Sequence, residues 1–220
     1  MLSAERTTRT HPFQYPLRPT SPRQTSSMPP ENDHIEHIWI VTGPAGCGKT
    51  TVAQHLAKEL SLPYVEGDDF HSAANKQKMG AGIPLTDADR WDWLITLREE
   101  AVKQLQHANG VIVTCSALKH KYRDVIRVAN YEHPSVQIHF IYLKVDEHTL
   151  QKRVAERVGH YMKEGMVHSQ MVTLEEPEED QEWDVLPVDV RADKETVQHE
   201  ALEVVQKKLK EYQSVPKDPS

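Results

Sequence analysis

Glycine is scarce in this 220-residue chain, with 9 residues, and cysteine is scarcer, with 2. Two cysteines cannot build a disulfide framework, so the chain reads as a protein of a reducing compartment, the cytoplasm. No apolar run approaches 18 residues, which excludes an ordinary transmembrane helix and argues against a membrane partner. Residues 1–30 contain no apolar stretch of the kind a secretory signal needs. Positive charge is in deficit, with 26 Lys and Arg against 33 Asp and Glu, a net −7. A protein that grips nucleic-acid backbones needs the opposite balance, so nucleic acid is not an expected partner. Hydrophobic residues reach only 38%. With a mean hydropathy of −0.64, part of the chain is expected to lie outside any packed core. The length favours one domain.

The unpacked part is the N-terminus. Residues 1–33 hold six of the 14 prolines, at 12, 16, 19, 22, 29 and 30, and nearly half of the remainder is Ser, Thr and Arg. Such a segment buries too little to offset its ordering entropy and is expected to be a disordered extension. Four arginines and, up to Met28, the single acid Glu5 resemble a mitochondrial transit peptide in charge. The prolines would break the amphipathic helix such a peptide uses, so a mitochondrial location is the alternative and an inert extension the main reading. Met28 is a second candidate start.

From residue 34 onward strands and helices alternate. Short β-branched runs predict strands at 37–42, 63–66, 111–115, 136–143 and 185–190, and helices at 49–60, 72–79, 86–107, 119–130, 146–157 and 194–212. Asp146 is placed to cap the helix that follows it. Residues 158–182 read as polar and irregular, and the acidic run 175–180 as a solvated loop. The alternation predicts an α/β domain over 34–220 with a parallel sheet and helices on both faces.

Three of the nine glycines fall within six residues. Gly43-Pro44-Ala45-Gly46-Cys47-Gly48-Lys49-Thr50 matches the pattern GxxxxGK[ST], after a predicted strand and before a predicted helix. Glycines let backbone N–H groups converge on an anion, and the helix N-terminus adds partial positive charge. Lys49 is expected to reach the β- and γ-phosphates of ATP, with the Thr50 hydroxyl binding Mg²⁺ and Thr51 continuing the nucleotide site. Cys47 beside Lys49 at a helix N-terminus is in a setting that favours thiolate, although close packing of the loop is the preferred reason for a small residue there. The third strand ends Thr114-Cys115-Ser116 without the acid that switch-type and motor-type nucleotide hydrolases carry. The second strand instead ends Glu66-Gly67-Asp68-Asp69-Phe70-His71. Carboxylates at that strand tip face the ligand crevice, where they can orient a hydroxyl nucleophile or hold Mg²⁺ through water.

These pieces, together with KMGAGIPLTDADRWDWL at 78–94, CSALKHKYRD at 115–124, FIYLK at 140–144 and RVAERVGHYMKEGMVHSQMVTLEEP at 153–177, resemble the gluconokinases of the small, shikimate-kinase-like type. The 79–90 and 115–119 segments are specific to that family, and the resemblance spans nearly all of 37–190. It implies a three-layer P-loop kinase fold with a mobile lid at about 158–173, often dimeric, so a homodimer is expected. It implies phosphorylation of D-gluconate by ATP to 6-phospho-D-gluconate, a product that enters the pentose phosphate pathway. Glu66 departs from the Asp more common at its position.

Gluconate is a linear polyol with a carboxylate, so its site needs a cation and several hydrogen-bonding groups. Arg90 is the expected partner of the carboxylate. His71, Lys78 and Arg123 are further expected substrate contacts, and the backbone at Ser116 should face the same pocket. Asp68 is expected to receive or orient the 6-hydroxyl proton. Arg153 and Arg157, four residues apart on one helix face, are expected near the nucleotide's base and ribose and on the transferring phosphoryl group, respectively. A kinase of the same fold with another acceptor, and a nucleotide-dependent switch or nucleic-acid ATPase, are the alternatives. The 79–90 segment opposes the first; the net charge and the bare third-strand tip oppose the second.

Overall fold

Strand β1, Glu36–Thr42, sends alternate side chains to opposite faces of the sheet. Ile38 and Ile40 enter one core, and Trp39 and Val41 enter the other. A strand buried on both faces belongs in the middle, and β1 lies between β3 (Gly110–Thr114) and β4 (Val136–Lys144). The two-residue strand β2 (Tyr64–Val65) and β5 (Val185–Asp189) form the edges, giving the order β2-β3-β1-β4-β5 with every pairing parallel. Pro187 sits on the β5 edge, where its missing N–H breaks no ladder. The computed structural model describes residues 35–156, 164–178 and 180–214, all within one unit, Asp33–Ser220. The expected N-terminal extension lies outside the described residues.

Each face of the sheet is covered by helices, as parallel strands require. Helices α3 (Trp91–Gln104) and α4 (His120–Glu132) cover the first face with Leu94, Leu97, Ala101, Ile126 and Ala129. On the other face lie α1 (Lys49–Leu60), α5 (Glu147–Glu156) and the long α7 (Lys194–Ser214), with Val52, Leu56, Leu150, Ala201 and Val205. A short helix, α2 (Ala73–Gly80), follows a 3₁₀ turn at Gly67–Phe70 and is capped by Ser72, whose hydroxyl accepts from Asn75 N at 3.2 Å. Asp146 caps α5 as expected, accepting from Thr149 N at 2.8 Å.

Two expectations are corrected. The stretch 158–182 is not irregular throughout: Glu164–Thr173 forms helix α6. Val167, Met171 and Leu174 carry a helical repeat; Val167 is fully buried, and the other two pack against the cores. The helix expected at 86–107 begins only at Trp91. Ahead of it, Asp89 accepts from Thr86 N at 2.9 Å and from the Thr86 hydroxyl at 2.8 Å, closing a turn that holds 86–89 out of the helix. The acidic run is also partly engaged, since Glu175 Oε2 accepts from His120 N at 2.8 Å and Glu176 pairs with Lys144.

Arg123 is a further correction. It was expected on the substrate, but its side chain is 2% exposed and turned into the protein. Its Nε and Nη2 donate to the two oxygens of Glu182, at 2.7 and 2.5 Å, and Nη1 donates to the Ala117 carbonyl at 3.1 Å. Nη1 and Nη2 both reach the Glu175 carbonyl at 3.3 Å. Burial alone would raise the Glu182 carboxyl, but Arg123 and Arg127 hold it below the ordinary value. The stabilisation is therefore present at neutral pH and fades as pH falls through that lowered value. Breaking a buried pair from one side costs roughly 3–5 kcal/mol because the other charge is left behind. Arg123→Leu is expected to lower the unfolding free energy by about 3 kcal/mol in urea denaturation, with Arg127 limiting the loss. An unchanged midpoint would show the pair to be dispensable.

Candidate active site

The phosphate loop leaves the carboxyl end of β1 and opens α1. Gly43, Gly46 and Gly48 all adopt positive φ, at 140°, 86° and 107°, which other residues resist. A side chain at Gly43 would also meet Cys47 Sγ at 3.0 Å and the Leu143 carbonyl at 3.1 Å. Cys47 is thus a packing residue under the loop. Burial pushes its thiol up despite Lys49 nearby, so the thiolate setting read from its position does not hold. Lys49 Nζ donates to the carbonyls of Gly43 and Pro44, both at 3.0 Å. Neutral carbonyls are modest partners for an ammonium, so an anionic phosphate is the stronger competitor for it.

A cavity of about 410 Å³ adjoins the loop, lined by Gly46, Cys47, Gly48, Thr51, Arg153 and the 190–197 segment among others. Arg153 donates to the Val190 carbonyl, which holds its guanidinium at the cavity wall. Thr51 and Arg153, both expected at the nucleotide, therefore line one cavity beside the phosphate loop. Arg157 and residues 158–163 of the expected lid lie outside the described residues.

Beside the loop, the tip of β2 carries Glu66. The Thr50 hydroxyl donates to it at 2.9 Å, and the Tyr64 and Thr114 hydroxyls donate to it as well. Burial would raise the Glu66 carboxyl, but these three hydroxyls more than offset that and hold it below the ordinary range. A Thr hydroxyl beside an ionised carboxylate at the phosphate loop is a hard-oxygen donor set, which suits Mg²⁺. Tyr64 and Thr114 were not singled out from sequence, because neither residue type signals a metal site.

A second cleft holds four of the remaining expected residues, Asp68, His71, Arg90 and Ser116. It is lined by Ala45, Lys49, Asp68, His71, Arg90 and Ser116, with Met79, Pro84 and Leu85 and with Ser169, Gln170 and Thr173 of α6. The Thr42 hydroxyl donates to the Ser116 carbonyl at 2.7 Å, fixing that loop against the end of β1. The crowded cleft mouth raises the Asp68 carboxyl through burial; Lys49 opposes the rise, and Glu66 and Asp69 add to it. The Asp68 side chain is 70% exposed, so water moderates the effect. His71 stacks on Trp93 with centroids 4.0 Å apart, and Trp93 Nε1 donates to the Gly67 carbonyl at 2.8 Å. Burial, with Arg90 and Lys76 adding, pushes His71 down to about 4, so it is a neutral imidazole at physiological pH. Among the described residues its buried Nδ1 has no partner, and neither does the buried Nε of Arg90. Arg90 Nη2 donates to the Leu85 carbonyl at 3.2 Å, and its guanidinium lies 5.5 Å from the Tyr122 ring centre. A cation, a neutral imidazole, a carboxylate and an ammonium thus converge on one cleft.

Lys78 does not line that cleft. It pairs with Asp89 at 2.6 Å and so braces the 84–90 loop rather than reaching into the pocket. The same loop is pinned from the other side by Asp87, which takes hydrogen bonds from Lys119 at 2.9 Å and from Lys121 and Tyr122. Lys119 serves this bracing.

Comparison with known proteins agrees with this geometry. A family model described as an AAA domain matches residues 38–177. A probable gluconokinase of Schizosaccharomyces pombe is 43% identical over 184 residues, covering 83% of this chain and 94% of that protein. The thermoresistant gluconokinase of Escherichia coli is 40% identical over 176 residues, covering 80% and 97%. The crystal structure of a gluconokinase from Sinorhizobium meliloti superposes with a TM-score of 0.70 at 33% identity, covering 83% of this chain and 99% of that one. With relatives of this identity and coverage, and with a cavity on one side of the phosphate loop and a polar, cation-bearing cleft on the other, the chain belongs to the gluconokinase family.

Proposed function

We propose that this protein transfers the γ-phosphoryl group of ATP to the 6-hydroxyl of D-gluconate, giving 6-phospho-D-gluconate and ADP. The observation that carries the reading is the second cleft, where Arg90, His71, Asp68 and Lys49 face one another next to the phosphate loop. Mg²⁺ supplies charge neutralisation on the phosphates, and Thr50 with Glu66 fits it. Lys49 leaves the loop carbonyls for the transferring group. Arg90 takes the gluconate carboxylate, and neutral His71 can both donate to and accept from a hydroxyl. Asp68 accepts or orients the 6-hydroxyl proton as the new P–O bond forms and the bond to ADP breaks. Its raised carboxyl makes it a better proton acceptor than an ordinary aspartate. Arg157 is assigned to the transferring phosphoryl, supported by its place one residue beyond α5, whose Arg153 lines the nucleotide cavity.

The reading includes a homodimer in the cytoplasm, supported by the family resemblance and by two cysteines that are both buried and unpaired. Among the described residues no helix is long and apolar enough to cross a membrane.

Gluconate is expected to stimulate ADP formation at least tenfold over the acceptor-free rate, with neutral glucose a poor substitute because Arg90 would face no charge. Arg90→Ala is expected to raise the KM for gluconate about tenfold or more while leaving that for ATP nearly unchanged. Equal rates with gluconate and glucose would overturn the assignment. Lys49→Met is expected to lower kcat by about a hundredfold or more with little change in melting temperature, since its ammonium rests on loop carbonyls. A fully active Lys49→Met enzyme would rule out its place on the phosphates.

A further inference from the structure

Helix α6 forms one wall of the acceptor cleft. With Val167 and Met171 turned to the core, Ser169, Gln170 and Thr173 fall on the side that faces the cleft. The Thr173 hydroxyl is turned back to the Ser169 carbonyl at 2.7 Å. Gln170 reaches outward instead: its Oε1 accepts from the backbone N–H of Ala45, in the phosphate loop, at 2.6 Å. This contact bridges 125 positions of sequence and ties α6 to the nucleotide side of the site.

The contact also settles which way the carboxamide points. A backbone N–H can only donate, so the group facing Ala45 must be the oxygen. The NH₂ group then lies on the other side of the carboxamide, with two N–H donors. Among the described residues no group accepts from it. Both Ala45 and Gln170 line the cleft that holds Asp68, His71 and Arg90. The helix is fixed at its far end as well, where Glu175 N donates to the Leu118 carbonyl at 2.8 Å and Arg123 holds the Glu175 carbonyl. Gln170 is therefore a donor pair of fixed orientation, seated between the phosphate loop and the acceptor pocket.

We propose that Gln170 is a substrate-binding residue of the acceptor site, held in orientation by Ala45 so that its NH₂ group donates to an oxygen of the polyol acid. The proposal rests on the gluconokinase reading above. A polyol carboxylate offers acceptor oxygens along its whole length, and a preoriented amide selects for such a chain over an apolar or shorter acceptor. The same link gives the phosphate loop a direct contact with the helix that walls the acceptor.

Two near-isosteric variants separate the roles of the carboxamide. Gln170→Glu keeps an acceptor for Ala45 N–H but removes both donors; Gln170→Met removes both functions. Each is compared with wild type for gluconate KM and kcat, for binding of a non-hydrolysable ATP analogue with Mg²⁺ by calorimetry without acceptor, and for melting temperature. Gln170→Met is expected to raise the gluconate KM about tenfold, with analogue affinity within about threefold and melting temperature within a few degrees of wild type. Gln170→Glu is expected to raise the gluconate KM further, because its carboxylate faces another carboxylate-bearing molecule. A Gln170→Glu enzyme with a gluconate KM within twofold of wild type would overturn the proposal, since the donors would then be unused. A Gln170→Met enzyme whose analogue affinity falls as far as its gluconate efficiency would also overturn it, leaving only a brace for the loop. Absence of gluconate turnover by the wild type would overturn the gluconokinase reading and this proposal together, whereas the two variant outcomes bear on Gln170 alone.

Discussion

The Glu66 carboxylate is the point at which the sheet and the phosphate loop meet. It draws hydroxyls from Thr50 on α1, Tyr64 on its own strand and Thr114 on the neighbouring strand. The Thr114 hydroxyl in turn accepts from Gly67 N at 3.0 Å, closing the web around the tip of β2. Glycine at 67 is what permits this approach, because a Cβ there would lie 2.0 Å from the Thr114 carbonyl oxygen. The edge strand is only two residues long, so these contacts, more than its ladder, hold its tip at the site. The bare end of β3 acquires a physical reason: Thr114 lends its hydroxyl to a carboxylate supplied from the next strand.

Outside this web the cleft that Arg90 and His71 line is held by ion pairs that never enter it. Asp89 with Lys78 and Thr86 shapes one end of the 84–90 loop, and Asp87 with Lys119, Lys121 and Tyr122 ties the other end to α4. Arg123 and Glu182 then join α4 to the end of α6 and to the chain entering β5. A rigid frame of this kind lets Arg90 and His71 keep buried nitrogens without protein partners, a state that costs stability unless a ligand supplies the missing bond. That cost is spread through the frame and marks the cleft as a site for a polar ligand.

Much of this architecture was legible in the sequence because burial writes itself into residue type. The β-branched run at 37–42 and the glycines at 43, 46 and 48 predicted the central strand and the turn at its end, and both stand there. Lys49, Asp68, His71, Arg90 and Ser116 were expected around one site and line one cleft. Lys78 and Arg123 were misplaced for one reason: a basic residue near an acidic substrate looks the same in sequence whether it faces the ligand or an internal carboxylate. Helix α6 was missed because Met166 and the exposed Val172 blur the repeat of Val167, Met171 and the following Leu174, so no single apolar stripe marks the segment as a helix. Gln170 was invisible from composition, since its importance comes from a contact with Ala45 that only the fold creates.

If Glu66 is the carboxylate that serves the metal, its charge should matter more than its shape. Glu66→Gln keeps one oxygen to accept from Thr50 and Tyr64, removes the charge, and sets an NH₂ where the other oxygen accepts from Thr114, whose hydroxyl can turn to accept instead. The direct measurement is the Mg²⁺ concentration that gives half-maximal velocity at saturating ATP, taken together with the rise in melting temperature on adding ATP and Mg²⁺. Loss of a carboxylate that orients or supports a metal typically costs about 10–100-fold in metal affinity. The account predicts a rise of about tenfold or more in that Mg²⁺ concentration, a diminished rise in melting temperature with ligand, and a ligand-free melting temperature within a few degrees of wild type. A Mg²⁺ dependence within twofold of wild type would contradict it.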